Sequence, residues 1–170
     1  ADKLRKKNRQ NLRQSIRRQR RELTDTQRAT SALQLAMHAG RDRLVLNSRH
    51  IAVYLPSDGE IDPQPLIQYL RSLGKHLYLP VLVSFSARRL WFSPYSPGDR
   101  LVLNRYGIPE PERVHHRRIK PVALDLVLTP LVGFDDRGHR LGMGGGYYDR
   151  AFGFLNSRKR WKKPRLMGLA

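Results

Sequence analysis

The sequence predicts an α/β fold, a three-layer arrangement whose mainly parallel sheet is preceded by an N-terminal helical segment. Three observations predict it. Short runs rich in Val, Ile, Leu and Tyr recur along the chain, at HIAVYLP (50–56), HLYLPVL (76–82) and DLVLTPLVGF (125–134). The amphipathic stretch QPLIQYLRSLG (64–74) separates the first two, with connections of the length that parallel crossovers need. No linker rich in Gly, Ser or Pro divides the 170 residues, which suffice for one core. A single domain over 1–170 is therefore expected, with helices in 1–40 packed on an α/β core at 50–170.

The elements follow in order. Across residues 3–21 Leu12 and Ile16, with Leu23 just beyond, lie at helical spacing, a narrow apolar stripe on an arginine-rich helix. TDTQ (24–27) has the form of a capping box, so a second helix runs from about Asp25 to His38 and stops at Gly40. The strand at 50–56 ends in the polar loop SDGEID. RLWFSPY (89–95) reads as an edge strand, because proline follows its apolar residues. The run 125–134 reads as a buried strand, YYDRAFGFL (147–155) as a helix despite Gly153, and RLMGLA (165–170) as a last strand. The chain stops inside that run, so its C-terminal end is expected to be incomplete.

Composition narrows the chemistry. The formal charge is +19, of which residues 1–21 carry +9, and a second basic run, SRKRWKKPR, spans 157–165. Such a balance favours anionic partners: nucleic acid, a membrane surface or phosphorylated small molecules. Cysteine is absent, which excludes disulfides and thiolate metal sites and is compatible with the cytoplasm. No apolar run approaches a membrane span, and no signal-type apolar segment follows the charged N-terminus.

The segment RLGMGGGYYDR (140–150) carries the most specific chemistry. Its glycines stand between a strand and a helix, where they let the backbone take positive φ and bring N–H groups to an anion at a helix N-terminus. It is neither a Walker loop nor a complete dinucleotide fingerprint. Arg140 at its entry can clamp a phosphate with a fork of donors. Asp149 is either ordinary decoration of a helix start or a Mg²⁺ ligand beside nucleotide phosphates. Of Tyr147 and Tyr148, at least one should face the ligand. Glu60 lies just past the first strand, at the carboxyl edge where open α/β sheets bind ligands. Its neighbours Asp58 and Asp62 read as solvated or capping groups. His115, His116 and His139 read as exposed and lack metal-ligand spacing.

At these residues the chain closely resembles the 5-formyltetrahydrofolate cyclo-ligases, also called methenyltetrahydrofolate synthetases. The segments LRQSIRRQRRELT (12–24), IAVYLPSDGEIDPQPLI (51–67), GKHLYLPVL (74–82), NRYGIPEP (104–111) and LVLTPLVGFDDRGHRLGMGGGYYDR (126–150) carry the resemblance in the family's order. It implies a monomeric or weakly associating cytoplasmic enzyme that requires ATP and Mg²⁺. It implies attack of the formyl oxygen of 5-formyltetrahydrofolate on the γ-phosphate of ATP. Closure by N10 and loss of phosphate then give 5,10-methenyltetrahydrofolate.

An amide-like oxygen is a poor nucleophile, so alignment and charge neutralisation must do most of the catalysis. Arg140, the loop from Gly142 through Met143, Gly144 and Gly145 to Gly146, and magnesium on Asp149 would supply them. The resemblance adds Arg13 on the nucleotide, and Tyr147 and Arg9, which stands next to Gln10, are expected there too. It sets Leu55, Glu60, Tyr106, Tyr147 and Tyr148 against the folate, with Glu60 and Tyr148 close to the reaction. Two departures stand out: Gln10 where the family often has lysine, and a further metal-site acid that would fall beyond Ala170. The positive charge could steer ATP and polyglutamylated folate. The alternative is a nucleic-acid-binding protein using helix 3–21 and the 157–165 run, with Trp161 as an aromatic contact.

Overall fold

The computed structural model describes residues 2–82, 90–105, 107–112, 117–158 and 163–170. Helix α1 (Asp2–Arg21) leads to α2 (Asp25–Gly40) and a short α3 (Arg43–Leu46). Strand β1 (His50–Ala52), helix α4 (Gln64–Ser72) and strand β2 (His76–Leu82) then form a parallel crossover unit. Strand β3 (Leu90–Pro94) returns antiparallel to β2, and β6 (Leu126–Pro130) and β9 (Arg165–Leu169) complete the sheet. Its order is β3-β2-β1-β6-β9, with β3 at one edge and antiparallel, so the sheet is mainly parallel.

Alternation along each strand sorts the core into two layers. Ile51, Leu77, Leu79, Leu126 and Leu128 face Leu66, Ile67 and Leu70 of α4 and Ala39 of α2. On the other face Ala52, Tyr78, Phe92 and Val127 meet Phe152, packed with Tyr148, Phe154 and Leu155. Tyr148 lies in the short helix α5 (Tyr147–Ala151) and Phe154 and Leu155 in α6 (Phe154–Ser157), with Phe152 between the two. Gly40 lies within α2, where an added Cβ would stand 2.8 Å from the Tyr69 ring, so its smallness permits the contact with α4. Asp125 ties together the entries of the central strands: its carboxylate accepts from the N–H groups of His50 and Arg49 and from Lys163. Burial alone would raise that acid, but these three donors outweigh it and hold it at about 2.

Four local expectations change. The ladder of β1 ends at Ala52 rather than reaching Pro56, although Val53 N still donates to Tyr78 O at 2.8 Å and Val53 and Tyr54 stay buried. The apolar run 125–134 splits, because after β6 the chain leaves the main sheet. Its end, β7 (Gly133–Phe134), pairs with β8 (Arg140–Leu141) in a separate ribbon. The predicted helix 147–155 breaks at Phe152, whose ring is buried against Phe92, and Gly153 follows as a weak helix former. The stripe on α1 is scarcely apolar packing at all: Leu12 is 53% exposed, and Ile16 alone meets the body beside Gly133. The capping box of α2 forms as expected, with Thr24 and Gln27 bonded reciprocally. A further small hairpin, β4 (Leu101–Leu103) with β5 (Pro109–Pro111), had no clear signal in its short strands.

Candidate active site

The parallel strands β1, β2 and β6 end on one side of the sheet, and there a cavity of about 750 Å³ opens. It lies where an open α/β sheet is expected to bind its ligand. Residues from well-separated parts of the chain line it, among them Arg9 and Arg13 from α1, Leu55 and Glu60 after β1, Pro130 and Leu131 at the end of β6, and the run from Gly142 to Asp149 with Arg140. Of the residues expected to line the nucleotide and folate sites, Tyr106 lies outside the described residues. Its neighbours Asn104, Gly107 and Ile108 reach the same cavity.

The glycine loop is shaped by guanidinium groups. Arg13 Nε donates to the carbonyl of Gly142 at 2.8 Å, and Arg150 Nη2 donates to that of Gly145 at 2.7 Å. The Arg150 guanidinium also lies 5.1 Å from the centre of the Tyr147 ring. With those carbonyls occupied, none of the amides of Gly142 to Gly146 donates to a backbone acceptor among the described residues. Gly144 and Gly146 adopt φ of +105° and +62°, as an anion-cradling turn requires. Gly145 does not share that conformation. An added Cβ there would stand 2.9 Å from the Tyr147 ring, so contact with the tyrosine sets its smallness.

Arg140 and Asp149 pair across the loop, the arginine 31% and the carboxylate 72% exposed. Among the described residues no group of three or more His, Asp or Glu could hold a metal. The described residues alone thus form no cage for a magnesium ion. One exposed carboxylate beside a phosphate-sized loop instead fits an ion that arrives with a nucleotide and keeps its waters.

Glu60 sits in the wall of the cavity with Oε2 accepting from Ser57 N at 3.0 Å. Burial raises its pKa, opposed in part by that N–H and by the Arg20 charge. Tyr148 faces the cavity and stacks on Phe152, and burial followed by the nearby Glu60 charge raises its hydroxyl. Tyr54, which donates to Ile61 O at 2.8 Å, is raised by the same two causes in the same order.

The sequence reading missed several members of this wall. Glu110 accepts from Leu82 N at 2.7 Å and from Asn104 Nδ2 at 2.8 Å, joining the β4–β5 hairpin to the end of β2. Both lie in NRYGIPEP, the segment from which only the aromatic residue had been singled out. Asp58 is no solvated bystander: Arg17 and Arg21 of α1 both ion-pair with it, and these bonds hold its carboxyl below the usual range. Asp62 keeps its bland role, accepting from Gln64 N at the start of α4. His139 is exposed and paired with Asp135, while His115 and His116 lie outside the described residues. Within the basic run 157–165, Arg158 stacks on Phe154 and Lys163 pairs with Asp125, whereas Trp161 lies outside the described residues.

Comparison with known proteins bears on this arrangement. Residues 5–170 match the model of the 5-formyltetrahydrofolate cyclo-ligase family. The 5-formyltetrahydrofolate cyclo-ligase of Escherichia coli K12 is 47% identical over 136 residues, 79% of this chain and 74% of that protein. The Haemophilus influenzae protein of the same name is 41% identical over 143 residues, covering 84% and 76% respectively. Among solved structures, Aquifex aeolicus 5,10-methenyltetrahydrofolate synthetase superposes with a TM-score of 0.76 at 29% identity, over 95% of this chain and 77% of that one. The fold of the Mycoplasma pneumoniae synthetase is also shared, with a TM-score of 0.63 at 22% identity over 89% of this chain and 79% of that one.

Proposed function

We propose, because this chain belongs to the 5-formyltetrahydrofolate cyclo-ligase family, that its cavity binds ATP and 5-formyltetrahydrofolate side by side. The chain is a folate cyclo-ligase, converting 5-formyltetrahydrofolate to 5,10-methenyltetrahydrofolate. One observation carries the assignment of the site: the glycine loop, Arg13, Arg140 and the carboxylate Glu60 open into the same cavity. The nucleic-acid alternative rests chiefly on net charge, and two cations of the 157–165 run, Arg158 and Lys163, are engaged within the fold.

In this reading the amides of Gly142 to Gly146, Arg13 and Arg140 hold the phosphates of ATP, with Arg9 and Met143 at the margin of that site. Tyr147 stands between nucleotide and folate, and Leu55, Tyr106 and Tyr148 bound the folate. Glu60 holds the folate so that its formyl oxygen lies in line with the γ-phosphate. Attack transfers the phosphoryl group to that oxygen, ADP leaves, and N10 closes on the activated carbon, giving up its proton to solvent as phosphate departs. Alignment replaces intrinsic nucleophilicity, and the guanidinium of Arg140 balances charge on the transferring group. Asp149 would hold the nucleotide's magnesium, which neutralises phosphate charge when bound. The enzyme acts as a cytoplasmic monomer. No described helix is long and apolar enough to cross a membrane.

The direct test follows absorbance of the methenyl product from 5-formyltetrahydrofolate with ATP and Mg²⁺ together and with each withheld. Product should form only with both present; none under any condition would overturn the assignment.

Glu60→Gln separates function from folding. Because burial raises the Glu60 pKa, the ionised form costs the folded state free energy, and that cost grows as pH rises through the folded pKa. The glutamine variant should therefore melt at or above the wild-type temperature at neutral pH, while KM for the folate rises roughly tenfold or more. Unchanged folate kinetics would reduce Glu60 to a structural loop residue.

A further inference from the structure

Helix α1 is fastened by arginines. Arg13, Arg17 and Arg20 recur at helical spacing on its inner side, and they reach the carbonyl of Gly142, the carboxylate of Asp58 and the carbonyl of Leu131. Arg21 joins Arg17 on Asp58, at 2.6 Å. Asp58 thus supplies a carboxylate that two arginines of α1 share.

The backbone around Asp58 is bent to serve this contact. Asp58 adopts φ +50°, unusual for a residue with a side chain, and Gly59 follows at +75°. An added Cβ on Gly59 would lie 3.5 Å from Arg20 Cβ, so the turn lies directly against the helix. Two residues past Asp58 the same turn delivers Glu60 to the cavity. One helical turn before Arg17, Arg13 delivers its guanidinium to the glycine loop.

We infer that Asp58 is a positioning residue for the reaction: it locks α1 so that Arg13 stays on the glycine loop, and it ties that nucleotide side to the Glu60 turn. A one-residue slip of a helix moves each side chain by about 1.5 Å along the axis and about 100° around it. Either displacement breaks the 2.8 Å bond from Arg13 to Gly142. The ligands named on the two sides rest on the function proposed above; the anchoring of α1 does not.

Asp58→Asn is the cleanest variant, since asparagine tolerates the left-handed backbone while the charge is removed. Amide exchange across residues 10–21 of the ligand-free protein should quicken roughly tenfold, and affinity for a non-hydrolysable ATP analogue should weaken by a similar factor. With Arg17→Gln and Arg21→Gln already in place, Asp58→Asn should add less than about a twofold loss. Unchanged exchange and affinity in Asp58→Asn would overturn the inference. So would a full further loss in the arginine-free background, or a lowered melting temperature as the sole effect. If the wild-type protein itself fails to bind the analogue, the nucleotide assignment falls, while the exchange measurement still decides whether Asp58 anchors α1.

Discussion

Replacing Arg140 with alanine should lower kcat/KM for the ATP-dependent cyclisation by roughly 10²–10³-fold, the loss that follows removal of one preorganised donor to a reacting oxyanion. Two consequences of the substitution oppose each other. The variant loses a planar fork of donors at the mouth of the glycine loop, and it also releases Asp149 from its ion pair. An exposed pair of this kind is worth at most about 1 kcal/mol, whereas a donor aimed at developing phosphoryl charge is worth about 3–4 kcal/mol. The loss therefore dominates. Arg140→Lys should recover only part of the activity, because it restores the charge and not the fork. Calorimetric titration with an ATP analogue and steady-state rates measure both terms. Wild-type affinity and turnover in Arg140→Ala would take Arg140 out of the site.

The ion pair is one of several contacts that shape the loop. Arg13 and Arg150 occupy carbonyls at Gly142 and Gly145, and Arg140 occupies Asp149. Four charged side chains thus brace a segment that has almost no apolar side chain to bury. Placing phosphate there would require only Arg140 and Asp149 to change partners; the two carbonyl contacts can remain.

Most of the fold was legible because its strands and the α4 helix are written in side-chain periodicity. The strand-like composition of HLYLPVL and the amphipathic pattern of QPLIQYLRSLG are local signals, and both segments form where those signals put them. The Thr24 capping box is equally local. What failed depends on tertiary contact. Nothing in YYDRAFGFL announces that Phe152 turns toward Phe92 and ends the helix. Nothing in the apolar run 125–134 says that its last residues leave the sheet to pair with Arg140 and Leu141. Glycine, arginine and carboxylate types pointed to one side of the cavity, but their convergence is a product of topology. Asp58 was passed over for a related reason: its partners are 37 and 41 residues away in sequence, and a loop carboxylate carries no mark of a distant arginine.

Gly144→Val should weaken binding of the ATP analogue by roughly 10–100-fold while leaving the melting temperature nearly unchanged. At φ +105° a β-branched residue is strained by about 1–3 kcal/mol wherever its side chain points, so the loop must adopt another backbone path. No clash inside the fold complicates the result. The nearest atom to an added Cβ is Arg13 Cζ at 3.9 Å, and that arginine is the group that braces the loop. Valine there would strain the cradle itself, at ordinary contact distance from the guanidinium that braces it. The core should not notice, because Gly144 is exposed and both hydrophobic clusters lie elsewhere. Gly145→Val makes the instructive contrast: with no positive φ, its cost comes from pushing the Tyr147 ring aside, so folate affinity should suffer alongside nucleotide affinity. Paired titrations with the analogue and with 5-formyltetrahydrofolate separate the two variants. If folded Gly144→Val protein binds the analogue as tightly as wild type, the loop is an ordinary turn, and the phosphates must be held somewhere else in the cavity.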